Sequence, residues 1–147
     1  MDKKDEHILR SLSAEGRISN TDLSAKVGLS PSACLRRVQE LERSGVIRGY
    51  RAVLDAARLG IGFTAYVAVG LANHSKASQT AFEEAIANFD EVRECHNTTG
   101  SFEYLLRVEC KDLAAYKAFH ANALGGMPQV NSINSYVVMD SPKDLRA

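Results

Sequence analysis

Residues 16–51 read GRISNTDLSAKVGLSPSACLRRVQELERSGVIRGYR, and this stretch decides the fold. It spells two short helices joined by a tight turn, followed by an extended arm. The first helix is expected over Thr21–Val27, with Ser19 or Asn20 as its side-chain cap and Asp22 favoured by the helix dipole. Leu23 and Val27, four apart, define one apolar stripe. Gly28 supplies the left-handed conformation that stops the helix. Ser30 caps the next helix, and Pro31 occupies its first turn, where a missing N–H costs nothing.

The second helix is expected from Pro31 to about Ser44, ended by Gly45. Leu35, Val38 and Leu41, at steps of three, are assigned to the core with Ile47 behind them. The other side then shows Ser32, Ala33, Arg36, Arg37, Gln39, Glu40 and Arg43. Small residues in the first turn allow close approach to a surface, and arginines grip phosphates or guanine edges. An isolated basic helix reads as an ordinary solvated surface. Here the cap, turn, cap, Pro and Gly fall where a helix-turn-helix needs them, and that points to the DNA major groove. The candidate DNA contacts are Asn20, Thr21, Ser30, Ser32, Arg36, Arg37 and Arg43, with Glu40 orienting the helix or discriminating a cytosine.

Upstream, Ile8, Leu9 and Leu12 predict a third helix between Asp2 and Glu15 that closes the small core. Downstream, Ile47–Leu54 reads as a strand, either a wing or a hinge into a second domain. Arg48 and Arg51 on it are candidate phosphate contacts or simply a solvated edge.

The 147 residues are 45% hydrophobic and 24% charged, enough for one ordinary domain or two small ones. No apolar run spans a bilayer, and the first ten residues, MDKKDEHILR, lack an apolar secretory core. A cytoplasmic protein without membrane partners is expected. Net charge is zero, but Arg17–Arg51 holds seven Lys/Arg against three Asp/Glu, or +4. A basic head on a mildly acidic body suits a DNA binder that gains affinity through multivalency. Cys34, Cys95 and Cys110 are far apart and odd in number, so buried or half-buried free thiols are expected. The four histidines make no ligand spacing, and no metal or cofactor is assigned.

After Gly60 the texture changes. Phe63–Leu71 reads as a strand, Ser75–Phe89 as an amphipathic helix, Val92–Thr99 as a second strand, and Phe102–Glu109 as a third beyond a Gly100-Ser101 turn. Asp112 caps another helix to about Leu124, with Leu113, Tyr116, Phe119 or His120, and Ala123 on its inner stripe. Gly125-Gly126 ends it, and Val130–Met139 gives a fourth strand. The order β-α-β-β-α-β packs as a four-stranded antiparallel sheet with both helices on one face. Strands this apolar are expected to have their helix-free face covered, most simply by a second copy of the same sheet. The class is α+β, with a winged helix-turn-helix over 1–60 and a ferredoxin-like domain over 61–147.

With both halves in place, the chain resembles the Lrp/AsnC (feast/famine) family of transcription regulators over essentially its whole length. The carrying segments are GRISN, LS, VGLSP, the Cys34 and Arg37 positions, LE and GVI-x-GY at the front; ECH, TGSFEYLL, AY, MP-x-V and YVVM follow. Several are similar to the leucine-responsive branch. The resemblance implies an effector-sensing second domain, dimers that associate further, often into octamers, and DNA bent or wrapped around the assembly. It also implies a small effector, an amino acid, bound between dimers of the sensing domains.

Carried over by position, the effector site comprises Asn97, Thr98, Thr99, Gly100, Ser101, Phe102 and Glu103, with Gly125, Met127, Tyr136 and Val138. Gly100 and its neighbours offer N–H groups to a carboxylate, and Glu103 can accept from an ammonium group. The family turn is Gly-Asp-Phe/Tyr-Asp, whereas this chain has Gly100-Ser101-Phe102-Glu103, one carboxylate fewer and the other longer. An unusual effector, a weak response or none stays open, as does a plain hairpin turn with a solvated Glu103. Two other functions stand beside the effector-responsive regulator: an effector-independent architectural DNA-binding protein, and an enzyme of the tetrapyrrole decarboxylase type. For the latter only His96 and His120 are candidates, without an acid/base partner.

Overall fold

The structure is a computed structural model that describes residues 1–145. The chain divides into two compact units, Met1–Val53 and Leu54–Asp144. The short 3-10 helix Ala57–Leu59, expected with the first domain, falls in the second unit.

The first unit holds three helices: α1 (Lys3–Ala14), α2 (Asn20–Val27) and α3 (Pro31–Arg43). Each starts on a side-chain cap. Asp2 begins α1 in a capping box with Asp5, Ser19 begins α2 by accepting from the Asp22 N–H, and Ser30 begins α3 by accepting from the Ala33 N–H. Gly28, at φ 70°, takes the left-handed conformation that ends α2. Ile8, Leu23, Val27, Cys34 and Leu41 form the buried core, with Leu9, Leu12, Val38 and Ile47 packed against it.

Two expectations fail in this unit. Leu35 is 45% exposed, and Cys34 is buried in the place assigned to it. Cys34, Val38 and Leu41 step by four and three, which holds one face of a helix of 3.6 residues per turn; two steps of three rotate off it. Residues 47–54 form no strand. A strand needs a partner for its ladder, and among the described residues this segment has none.

The second unit is the expected β-α-β-β-α-β: β1 (Phe63–Leu71), α4 (Lys76–Ile86), β2 (Val92–Asn97), β3 (Tyr104–Cys110), α5 (Leu113–Asn122) and β4 (Val130–Val137). The sheet order is β2-β3-β1-β4 with every pair antiparallel. Phe63, Ala65, Val67, Val69 and Leu71 of β1 alternate onto the helix side with Tyr104, Leu106 and Val108 of β3. Phe82 and Ile86 of α4 and Tyr116 and Phe119 of α5 close that core. Leu113 is a correction: it sits in the first turn of α5, 65% exposed, and the inner stripe is Tyr116, Phe119 and Ala123.

The helix-free face is more polar than strands this apolar suggested. Alternation sends Val67, Val69 and Val108 to the helices, and one row across the other face reads Glu94, Arg107, Tyr66, Tyr136. Arg107 bonds both Glu94 and Glu109, and Glu94 also meets His96 at 3.1 Å. Arg107 holds the Glu94 carboxyl below its usual range. Cys34 and Cys110 are buried, whereas Cys95 is exposed on the edge strand β2, against expectation.

Candidate nucleic-acid interface and effector site

The α2–α3 junction is built by side chains that serve the backbone. Asn20 Nδ2 donates to the Pro31 carbonyl at 2.8 Å, tying the first turn of α2 to that of α3. Ser30 Oγ accepts from Ala33 N at 3.2 Å and lies 3.4 Å from Ser32 Oγ. Thr21 is exposed, and its carbonyl accepts from Ser24 Oγ. Asn20 and Ser30 therefore shape the turn, Asn20 partly buried and Ser30 exposed, and Thr21 and Ser32 are exposed beside them.

The arginines of α3 fall into three situations. Arg36 is exposed and makes no hydrogen bond or ion pair among the described residues. Arg43 pairs with Glu40 through two contacts, Nε to Oε2 at 2.8 Å and Nη2 to Oε1 at 2.6 Å. That pair lowers the Glu40 carboxyl and raises the Arg43 guanidinium from their ordinary values. Both groups are well exposed, so the pair is a local, solvent-screened one. Arg37 instead turns to α1, where Nη1 meets both oxygens of Asp2 at 2.9 and 2.8 Å and Asp5 Oδ1 at 2.9 Å. On the side of α3 away from Cys34, Val38 and Leu41, helical spacing groups Ser32, Arg36, Gln39, Glu40 and Arg43.

In the second unit the effector candidates fall at two places. The β2–β3 turn is closed by Thr98, whose N–H donates to the Glu103 carbonyl at 2.8 Å and whose Oγ1 donates to the Phe102 carbonyl at 3.2 Å. Glu103 is neither solvated nor a free acceptor. Its side chain is 14% exposed; Oε2 accepts from the Leu71 N–H at 2.7 Å and Oε1 meets His74 Nδ1 at 2.8 Å. The Glu103 N–H donates to the Val69 carbonyl, so the turn packs on the end of β1. Asn97 ends β2, Gly100 has φ 113°, and space beside its Cα is open.

The Gly125–Met127 segment reaches that same end of the sheet: the Ala72 N–H donates to the Gln129 carbonyl, and Val130 stands opposite Leu71. Met127 itself is in the core, while Gly125 is exposed. Tyr136 and Val138 lie elsewhere. Tyr136 pairs with Tyr66, and the Val138 N–H donates to the Thr64 carbonyl, three and five residues before Val69. At about 3.3 Å per residue they are roughly 10 and 17 Å from the turn along β1. The structure thus brings the turn and the glycine segment to one end and leaves Tyr136 and Val138 toward the other. Sequence reading missed His74, because a lone histidine before a helix gives no signal of a carboxylate far along the chain.

No group of three His, Cys, Asp or Glu among the described residues is placed to hold a metal ion, and no helix there is long and apolar enough to cross a membrane.

A tri-helical unit that presents a capped, basic third helix, followed by a βαββαβ unit, is the arrangement of a helix-turn-helix DNA-binding domain joined to a separate α+β domain. Residues 1–48 match the winged helix-turn-helix DNA-binding family model, and residues 64–147 match the Lrp/AsnC ligand binding domain. The chain is 39% identical over 143 residues to the leucine-responsive regulatory proteins of Klebsiella pneumoniae and Escherichia coli K12, covering 97% of this chain and 87% of each relative. A transcriptional regulator of Neisseria meningitidis, solved as its L-Met complex, superposes with TM-score 0.94 at 33% identity, covering 98% of this chain and 93% of that one. An AsnC family regulator of Agrobacterium tumefaciens does so with TM-score 0.92 at 36% identity, covering 98% and 94%. The chain belongs to the Lrp/AsnC family of transcription regulators. These relatives are named as regulators, which sets aside the enzyme alternative.

Proposed function

We propose that the chain is a sequence-specific, cytoplasmic transcription regulator that works as a homo-oligomer. In this reading two α3 helices of a dimer enter successive major-groove segments of a pseudo-palindromic site. Arg36 and Ser32 read base edges or phosphates, and Arg43 joins them by exchanging Glu40 for a phosphate. The observation that carries the reading is the exposed face of α3 with Arg36, unpaired among the described residues, at its middle. A small effector, an amino acid, binds at the sensing domain. The β2–β3 turn with the Gly125–Met127 segment supplies one wall, and Tyr136 and Val138 of another copy supply the facing wall. The L-Met complex of the Neisseria regulator supports this class of ligand. Effector binding then shifts the population of assemblies and so the spacing of the DNA-binding heads.

The test is selection of a duplex from a random-sequence pool, followed by a thermal-shift screen with the twenty amino acids. A phased, protected site and a rise in melting temperature with one amino acid are expected, since ligand that binds only the folded state stabilises by mass action. Diffuse coverage of DNA overturns sequence specificity.

One observation favours a second reading, an architectural DNA-binding protein that senses nothing. Glu103, the carboxylate left in the turn, is already engaged by Leu71 and His74 of its own chain. A flat thermal-shift screen beside intact DNA binding supports that reading.

A further inference from the structure

Asp2, Lys4 and Asp5, three residues in the first turn of α1 and its cap, touch both helices of the helix-turn-helix. Lys4 Nζ donates to the Val27 carbonyl at 2.6 Å and the Gly28 carbonyl at 3.3 Å, where α2 ends and its carbonyls lack helical partners. Asp2 and Asp5 together receive Nη1 of Arg37 on α3 through three contacts. The two carboxylates also have partners within the cap itself, besides Arg37. Asp2 Oδ1 accepts from the Lys4 and Asp5 N–H groups at 2.9 and 3.0 Å, and Asp5 Oδ2 accepts from the Asp2 N–H at 3.0 Å. The receptor for the guanidinium is therefore built by the cap of α1 itself.

We propose that this turn is a clasp that sets the pose of the recognition helix, with Arg37 as a positioning residue and not a DNA contact. Consecutive residues on a helix project about 100° apart. Holding Arg37 against α1 therefore aims the neighbouring Arg36 away from the core, toward the surface a duplex would approach. The Lys4 contacts fix the end of α2 by the same element, so one turn references both helices. Partly exposed ion pairs add little to stability, so the clasp acts on orientation more than on melting. The role assigned to Arg37 differs from the direct contact expected from its place in the sequence.

The inference rests on the DNA-binding reading, and the experiment separates the two. A duplex selected by the parent chain and a scrambled duplex are titrated by fluorescence anisotropy over a salt series. The chains compared are the parent, Arg37→Gln, Arg37→Lys, the double variant Asp2→Asn/Asp5→Asn, and Arg36→Gln. Arg37→Gln and the double aspartate variant are expected to lower the preference for the selected duplex by about three-fold or more. Both should keep the parental slope of log affinity against log salt, and Arg37→Lys should recover part of the preference. Arg36→Gln should make that slope shallower by about one unit, as loss of a phosphate contact does. The same shallower slope in Arg37→Gln overturns the proposal, as does an unchanged preference in either clasp variant. Circular dichroism checks folding, and if Arg37→Gln does not fold, the double aspartate variant decides. A parent chain that selects no duplex removes the DNA reading and the clasp together.

Discussion

The face of α3 and the β2–β3 turn each place an ionisable group where a ligand is expected, and they treat it in opposite ways. Arg36 is left unpaired and outward among the described residues, while Glu103 is folded back onto the end of β1 by the Leu71 N–H and His74. The first group keeps its full capacity for an external partner. The second has spent part of its capacity on its own sheet, so a ligand that wants this carboxylate must compete with a backbone bond.

The largest effect that would break this contrast is on DNA. Arg36→Ala is expected to weaken binding to a selected duplex by about ten- to a hundred-fold, roughly 1–3 kcal/mol, with the oligomer unchanged by sedimentation. Unchanged affinity would place Arg36 outside the interface. Next comes Glu103→Ala, which strands the half-buried Leu71 N–H and is expected to cost about 1–2 kcal/mol by calorimetric melting, with no loss of DNA affinity. If Glu103→Ala melts like the parent, its inward bonds are not formed in solution.

A smaller effect concerns the clasp of α1. Backbone bonding from Asp5, then the Arg37 guanidinium, holds the Asp2 carboxyl down at about 2 against an ordinary 3.8. A folded-state value below the unfolded one means stability that is present above pH 4 and lost as pH falls through 2. The difference in helix melting between parent and Asp2→Asn should therefore be constant from neutral pH to about 4 and shrink toward pH 2. The smallest expected effect is Glu40→Gln. Releasing Arg43 from its pair should tighten DNA binding about two- to three-fold at low salt and steepen the salt slope, seen by anisotropy. Weaker binding would give Glu40 a direct role in reading bases.

How much was legible in advance depends on how local the cause is. The Ser30 cap, the stop at Gly28 and the bounds of β1 follow from residues within a turn of each feature, and the structure agrees; of the two caps left open for α2, Ser19 or Asn20, it selects Ser19. Leu35 and Cys34 exchange places because three-residue steps track an apolar pattern less faithfully than alternating threes and fours. The segment 47–54 has strand composition, but a ladder requires a second strand that composition does not supply. The effector residues expected from resemblance divide between two ends of one sheet, and only register reveals it: Glu103 lies beside Val69 and Val138 beside Thr64.

By itself, then, the order of residues determined the three helices of the first unit, the β-α-β-β-α-β order of the second and the outward placing of Arg36 and Arg43 on α3, since caps, breakers and amphipathic period act over a few residues. Tertiary structure alone decided which charges stay available. Arg37 is claimed by Asp2 and Asp5 from 35 and 32 residues away, and Glu103 by Leu71, 32 residues distant. Hydrogen bonding is short-ranged, so a side chain's partner is known only once folding has brought the two together.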